Sequence, residues 1–426
     1  MPWSPLRPVG DTDQYLSSIR RTREVTQPVA RTLRIAHLAD THLGYRQYAT
    51  VDPRTGRNQR SVDIERAYAR TVDDILERDV DLVIHAGDMF HHTRPSWAAI
   101  RTFVEQTRRL VNAGLPFIAI AGNHDMPRLR SSESLFTILQ LVLPSARIVA
   151  GYDLEEIPFP GLDLMVHAFP HGALTDPNAA SPVPAPRQRN ILVAHGLVQG
   201  MPLPSTHHRE PGETELGMSL LGGELDYIAL GHFHIHGLYA PKAYYSGATE
   251  RVSWTDFDAT PGYNLVTLNE MGAVVEHVDL PGRPMIRLDR LSAATGNARE
   301  VADRILSAAS QRDQPEGMFR IVLDDADRPK RREVERLIRR EGREFAWSLE
   351  VLSPRETLFA PREGTDEAES MDFTPLTLFE QFIAEKREQG EYTAGFATAF
   401  RERGVRALQD AAAAAEQKVA AEEASA

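Results

Sequence analysis

Five apolar runs in this chain end on residues that a buried strand does not tolerate. "LRIAHLADTH" stops on Asp40 and His42, "DLVIHAGDMFHH" on Asp88 and His91, and "PFIAIAGNHDMPR" on Asn123 and His124. "ILVAHG" stops on His195, and "YIALGHFH" on His232 and His234. A turn at Gly122-Asn123 would explain one such ending, because both residues tolerate turn dihedrals. Five endings need a common cause. Leu82-Val83-Ile84 and Phe117-Ile118-Ala119-Ile120 are continuous apolar runs, the pattern of strands covered on both faces. Between the first two runs, Ile64, Tyr68, Ile75 and Leu76 recur at helical spacing. The alternation predicts a layered α/β domain, in which ligands collect beyond the carboxyl ends of the strands. The polar endings occupy those positions.

The length, 426 residues, accommodates two or three domains with sizeable cores. With no cysteine, disulfides and thiolate metal sites are excluded. No apolar run approaches the roughly 18 residues of a membrane span, and the Pro- and Arg-containing N-terminus lacks the apolar core of a signal peptide. The expectation is a soluble cytoplasmic protein without a membrane partner. A formal net charge of −12 argues against a protein that coats DNA by charge alone. Local basic strips remain open, with Arg94, Arg128 and Arg130 just beyond the polar strand endings as candidates.

Residues 1–32 read as a flexible N-terminal extension and 33–280 as the layered domain. "LPGRP", from Leu280 to Pro284, punctuates the chain. Beyond it "MIRLDRL", "AREVADRILSAAS", "FRIVLDD", "KRREVERLIRR" and "FAWSLEVL" predict a small β-α-β-α-β domain over 281–360. The segment 361–426 opens with an acidic linker carrying Asp366, Glu367, Glu369 and Asp372. Two helices should follow, one bearing Leu376, Phe379, Phe382 and Ile383, the other Phe396 and Phe400, each with an aromatic stripe. Those stripes either pack on this protein itself or serve a partner. The Ala-rich end has helix propensity but little to pack against.

Gathered at one sheet edge, Asp40, His42, Asp88, Asn123, His195, His232 and His234 suffice for two metal ions sharing a bridging carboxylate. Two divalent ions and two aspartates leave about +2, which attracts a phosphodiester, and metal pairs about 3.5–4 Å apart stabilise both oxygens of an in-line displacement. Oxygen and imidazole donors without thiolate suit Mn²⁺, Fe²⁺ or Zn²⁺, with Mn²⁺ preferred.

"DTH", "GD", "GNHD", "AHG" and "GHFH", in this order, resemble the motifs of the calcineurin-like metallophosphoesterases. "GDMFHHTRPS", "LDYIALGHFHIHG" and "YYSGATERVSW" resemble the SbcD-type nuclease subunit of double-strand-break repair. The resemblance implies a β-sandwich core flanked by helices, an α+β capping domain over 281–360 that touches DNA, and a C-terminal helical segment. One metal would be held by Asp40, His42, Asp88 and His234, the other by Asp88, Asn123, His195 and His232. His124 matches the histidine that contacts the phosphate and protonates the leaving oxygen, and His91 a further histidine near the phosphate. Implied too are 3′-to-5′ exonuclease activity on duplex DNA, endonuclease activity on single strands or hairpins, and homodimerisation. The partner is an SbcC-like ABC-type ATPase gripped by the 361–426 segment, and the setting is cytoplasmic, at the nucleoid during repair. The rival readings are a small-substrate phosphoesterase such as a cyclic-nucleotide phosphodiesterase, and a non-catalytic regulator of the ATPase.

The remaining histidines read as structural. His85, inside a strand, is expected as a hydrogen-bonded core residue and His92 as an exposed neighbour of His91, whereas His171, His207, His208 and His236 read as loop residues. Asp125 either orients a neighbour or caps a turn.

Overall fold

The computed structural model describes residues 31–48, 50–126, 134–175, 180–186, 188–203, 214–342 and 347–352, with Phe379, Ile383, Arg387, Thr393 and 395–406. The acidic linker, Leu376, Phe382, Arg128, Arg130, His207, His208 and residues 1–30 lie outside them. The chain divides into two compact units, Met1–Pro354 and Arg355–Ala426.

The first unit is built on two six-stranded sheets. One contains β1 (Leu33–Leu38), β2 (Leu82–His85), β3 (Phe117–Ile120) and β4 (Arg147–Val149), all parallel. The antiparallel β13 (Gly262–Asn269) and β14 (Gly272–Asp279) extend it beyond β1. The other sheet runs in the order β11 (Gly237–Ala240), β12 (Ala243–Tyr245), β10 (Tyr227–Gly231), β7 (Arg189–His195), β6 (Leu164–Phe169) and β5 (Glu155–Phe159). A short pair, β8 (Leu197–Val198) and β9 (Glu215–Leu216), lies apart.

Side-chain alternation sends successive residues of each strand to opposite layers. Ile35, Ile84 and Ile118 face Val166, Ile191 and Tyr227 between the sheets. Their neighbours Ala36, Val83 and Ala119 face Ile64, Tyr68 and Val72 of α1 (Gln59–Glu77) and Phe103 of α2 (Trp97–Asn112). Both faces are therefore apolar, which is why β2 and β3 read as unbroken hydrophobic runs; truncating Ile84 or Ile118 to Ala would cost ~2–5 kcal/mol. Side-chain oxygens of Asn58 and Ser96 cap the two helices, accepting from Ser61 N and Ala99 N. A shorter helix, α3 (Leu135–Val142), also packs on the first sheet, and α4 (His171–Leu174) follows β6. On the outer face of the second sheet, Leu192, Ile228 and Leu230 pack against Leu216, Leu220 and Leu221.

A second lobe of the same unit follows. β15 (Met285–Arg287) and β16 (Leu291–Ser292) pair with one side of β17 (Met318–Asp324), and β18 (Ser348–Leu352) with it too, all in parallel. "MIRLDRL" is thus two short strands rather than one, interrupted at residues 288–290. Val301 and Ile305 of α5 (Ala298–Ser310) and Val334 and Ile338 of α6 (Arg328–Glu341) cover Phe319, Ile321 and Leu323. The connection between the lobes is anchored: Arg283 makes a two-pronged pair with Asp63 of α1, at 2.5 and 2.7 Å, and lies over the Trp347 ring.

In the second unit, residues 395–406 are helical. Phe400 stacks on Phe396, with ring centroids 5.6 Å apart, and meets Phe379 edge-on at 5.5 Å. The aromatic stripes thus touch one another, although Phe396 stays 52% exposed. Among the described residues of the chain, no helix is long and apolar enough to cross a membrane.

Candidate metal centre

The five polar endings converge. Asp40 and His42 follow β1, Asp88 and His91 follow β2, Asn123 and His124 follow β3, His195 closes β7, and His232 and His234 follow β10. The carboxyl edges of both sheets therefore contribute. Backbone hydrogen bonds zip the first two loops together: Asp40 N donates to Gly87 O, His42 N to Asp88 O, and Leu43 N to Met89 O, at 2.9–3.0 Å. Asp40, His42, Asp88 and His232 all have positive φ, 53°, 43°, 54° and 102°. Such angles are uncommon outside glycine and gather where a side chain must be aimed against local preference.

Two glycines make the convergence possible. A Cβ on Gly122 would lie 2.1 Å from Asp88 Oδ1, and one on Gly87, whose φ is +98°, would lie 2.3 Å from His195 Nδ1. Backbone and ligand approach more closely there than any other residue permits.

Three groups of donor atoms result, each within 4.8 Å: Asp40, His42 and His234; Asp88, His195 and His232; and His42, His91 and His124. Asp88 Oδ2 stands 3.3 Å from His195 Nε2 and 3.8 Å from His42 Nε2, so it faces donors of both acidic groups. Asn123 Oδ1 is 3.0 Å from both His195 Nε2 and His232 Nδ1. His195 Nδ1 donates to Ala86 O at 2.8 Å and His234 Nδ1 to Asp256 Oδ2 at 2.9 Å, committing those nitrogens and turning both Nε2 atoms inward. His124 Nδ1 donates to His91 O at 3.0 Å, and the two rings stack 5.0 Å apart.

The charges match the contacts. Burial alone would lower the His195 imidazole, yet the charge and hydrogen bond of Asp88, then the charge of Asp40, raise it to about 9. His234, likewise opposed by burial, is raised to about 10 by Asp256. Burial works against Asp88 ionisation, but His195, His124 and His42 hold its carboxyl well below the usual range. Two buried carboxylates, an amide oxygen and inward-facing imidazoles are a donor set that fits divalent cations.

Asp256 escaped the sequence reading. It lies 22 residues beyond His234, in the 3₁₀ turn Trp254–Asp256, and its signal, Ser253 followed three residues later by Asp, reads only as a capping box. Asp125 orients its neighbours: its carboxylate accepts from Met89 N, Phe90 N and Gly122 N at 2.9–3.1 Å, clamping the β2 and β3 loops together. Burial, with the Asp88 charge, pushes it up to about 7. His85 is a buried core residue bonded to Thr41 Oγ1 at 3.1 Å, and His92 is exposed. His171 corrects the sequence expectation. It opens α4 rather than lying in a loop, and it is buried with its ring 6.4 Å from that of His195, because its backbone N–H is tied to Ala121 O. His236 does lie in a loop, stacked 3.7 Å from the His277 ring.

Residues 33–236 match the family described as calcineurin-like phosphoesterase. Over 281 residues the chain is 33% identical to the DNA double-strand break repair protein Mre11 of Haloferax volcanii, an alignment covering 64% of this chain and 58% of that one. To the protein of the same name from Methanosarcina mazei it is 28% identical over 262 residues, covering 59% and 39%. The Thermoplasma acidophilum protein of that name is 28% identical over 288 residues, covering 64% and 71%. The matched region thus spans little more than half of the first of these relatives and about two fifths of the second.

Proposed function

From a chain whose residues 33–236 match the calcineurin-like phosphoesterase family, we infer a two-metal DNA nuclease acting in double-strand-break repair. The observation that carries this reading is the pair of adjacent donor groups, Asp40/His42/His234 and Asp88/His195/His232, with Asp88 and Asn123 facing across them. Asp40, His42, Asp88 and His234 would hold one divalent cation and Asp88, Asn123, His195 and His232 the other, with Mn²⁺ the preferred ion. Bound there, the ions supply Lewis-acid stabilisation of the attacking and leaving oxygens of an in-line displacement.

The chain's own residues do the rest. With Nδ1 committed to the His91 carbonyl, proton delivery to the leaving oxygen falls to His124 Nε2. His91, stacked on His124, stands near the phosphate and holds the ring in its orientation. Asp125 keeps the loops of Asp88 and Asn123 in register, and Asp256 holds the tautomer of His234.

The finer assignment is 3′-to-5′ exonuclease activity on duplex DNA and endonuclease activity on single strands or hairpins, in a homodimer working with an SbcC-like ATPase. The division into a 33–280 nuclease domain, a 281–360 cap and a 361–426 ATPase-binding segment belongs to the same proposal. Support for it comes from the likeness to the Mre11 proteins. The test is incubation with Mn²⁺ and end-labelled duplex DNA beside a nitrophenyl phosphodiester. Metal-dependent cleavage of the DNA is expected; cleavage of the ester alone would replace this reading by a small-substrate phosphodiesterase.

A further inference from the structure

Trp254 is buried, 6% exposed, although its neighbours Ser253 and Thr255 are not, and it joins none of the apolar cores described above. Part of its cover comes from the second lobe. The Arg320 guanidinium of β17 lies 4.3 Å from the Trp254 ring centre, and that of Arg287 in β15 lies 3.9 Å from the Phe257 ring centre. The two aromatic rings stack on each other at 5.9 Å and 15°. Glu350 also holds Arg320, with Oε2 3.0 and 2.6 Å from Nε and Nη2. A continuous set of contacts therefore runs from the second lobe into the turn Trp254–Asp256.

That turn carries Asp256 between the two covered aromatics. Its Oδ2 accepts from Val252 N at 2.8 Å and Ser253 N at 3.2 Å, and from His234 Nδ1 at 2.9 Å. The same oxygen that closes the turn orients the imidazole, so the turn cannot shift without turning His234. Cations stacked on aromatic faces are attracted to them, more strongly when desolvated than at exposed sites, enough to help hold such a turn in place.

We propose that Asp256 is a positioning residue for His234 and that the second lobe, through Arg320 and Arg287 stacked on Trp254 and Phe257, sets the divalent-cation affinity of the Asp40/His42/His234 group. The inference rests on the metal-site reading given above. It makes the second lobe part of the metal site's support, acting through a turn rather than through a ligand of its own.

The test reads Mn²⁺ binding to the full chain by titration and by electron paramagnetic resonance, where a coupled ion pair and a single ion differ. His234→Ala should lose one ion, and retention of two ions at wild-type affinity would overturn the underlying metal reading itself. Asp256→Asn should weaken one binding step about 10- to 100-fold, as loss of a partner behind a ligating histidine does, and leave the other step unmoved. Arg287→Met with Arg320→Met should weaken that same step at least about 5-fold, the lower range of coupling between separate sites. Arg320→Lys, which keeps the charge but not the planar stack, should fall between wild type and the double variant; it also serves if the double variant does not fold. Wild-type affinity in Asp256→Asn overturns the positioning role. Wild-type affinity in both arginine variants overturns control by the second lobe, and equal weakening of both steps shows a merely structural effect.

Discussion

The Nε2 atoms of His42 and His234 face each other at 3.0 Å, with the Nδ1 of His234 already committed to Asp256. Two inward imidazole nitrogens at that separation must share a proton or an ion. A cation satisfies both lone pairs, together with Asp40 and Asp88, so Mn²⁺ should stabilise the folded chain. At a hundredfold excess over the dissociation constant the gain is about 2.7 kcal/mol. Asp88→Ala removes the carboxylate that faces both groups and should abolish hydrolysis, lower metal content and erase the Mn²⁺-dependent rise in melting temperature. Calorimetry with and without Mn²⁺, paired with metal analysis, checks this. Two fully bound ions in the variant would sink the shared-ligand role.

His124 separates binding from chemistry. Its ring Nδ1 is tied to the His91 carbonyl, and its bond to Asp88 Oδ1, at 3.0 Å, comes from the backbone N–H that alanine keeps, so His124→Ala should keep both metals and DNA affinity. Losing a general acid commonly costs 10²–10⁴-fold, and turnover should fall by about that much. Metal content falling in step with activity would make His124 a ligand instead.

That Asp40, Asp88, Asn123, His195 and His232 each end an apolar run was legible in the sequence, and parallel strands bring such ends to one edge of a sheet; that two sheets contribute, with His195 and His232 coming from the second rather than from the same edge, was not. The layered α/β order of the first lobe was legible for the same reason. What was not legible depends on side chains meeting out of register with any run. Asp256 reaches His234 from a 3₁₀ turn, and Asp125 clamps Met89, Phe90 and Gly122 through backbone groups that no motif announces. The left-handed backbone at Asp40, His42, Asp88 and His232 contradicts local preference, so propensity could not have found it. His171 looked like loop because its burial beside His195 is decided by a contact with Ala121 in another strand's ending.

Gly122 tests how tightly the β2 and β3 loops approach. Its added methyl would meet Asp88 Oδ1 at 2.1 Å and the Asp88 backbone nitrogen at 2.5 Å, and backbone cannot swing away as a flexible side chain could. Gly122→Ala should therefore displace Asp88, reduce Mn²⁺ binding and cost ~1–3 kcal/mol of stability, as overpacking does. Gly161→Ala is the matched control, since nothing lies within 4 Å of its methyl. Equal Mn²⁺ affinity in the two variants would mean the loops have more room than their contacts indicate.

The acid limb of stability should carry the mark of His37. This residue is fully buried in β1; its Nε2 donates to Leu230 O at 3.2 Å, which leaves Nδ1 to accept from the Tyr227 hydroxyl at 2.8 Å. Both nitrogens serve the neutral ring, and burial pushes its pKa down to about 3 from the ordinary 6.5, against the raising effect of the Leu230 bond. Between those values the unfolded chain binds a proton that the folded chain refuses. Stability from this group is therefore fully present above pH 6.5 and is lost as pH falls toward 3, at up to about 1.4 kcal/mol per pH unit. His37→Gln keeps a donor and an acceptor but cannot titrate. It should be less stable than wild type at pH 7, yet its denaturation midpoint should fall less steeply between pH 6.5 and 4.5, by about one proton. Measuring both proteins in chelator lets the metal-site histidines contribute equally to the two curves. Parallel curves would mean that His37 is protonated in the fold, with its bond to Tyr227 reversed.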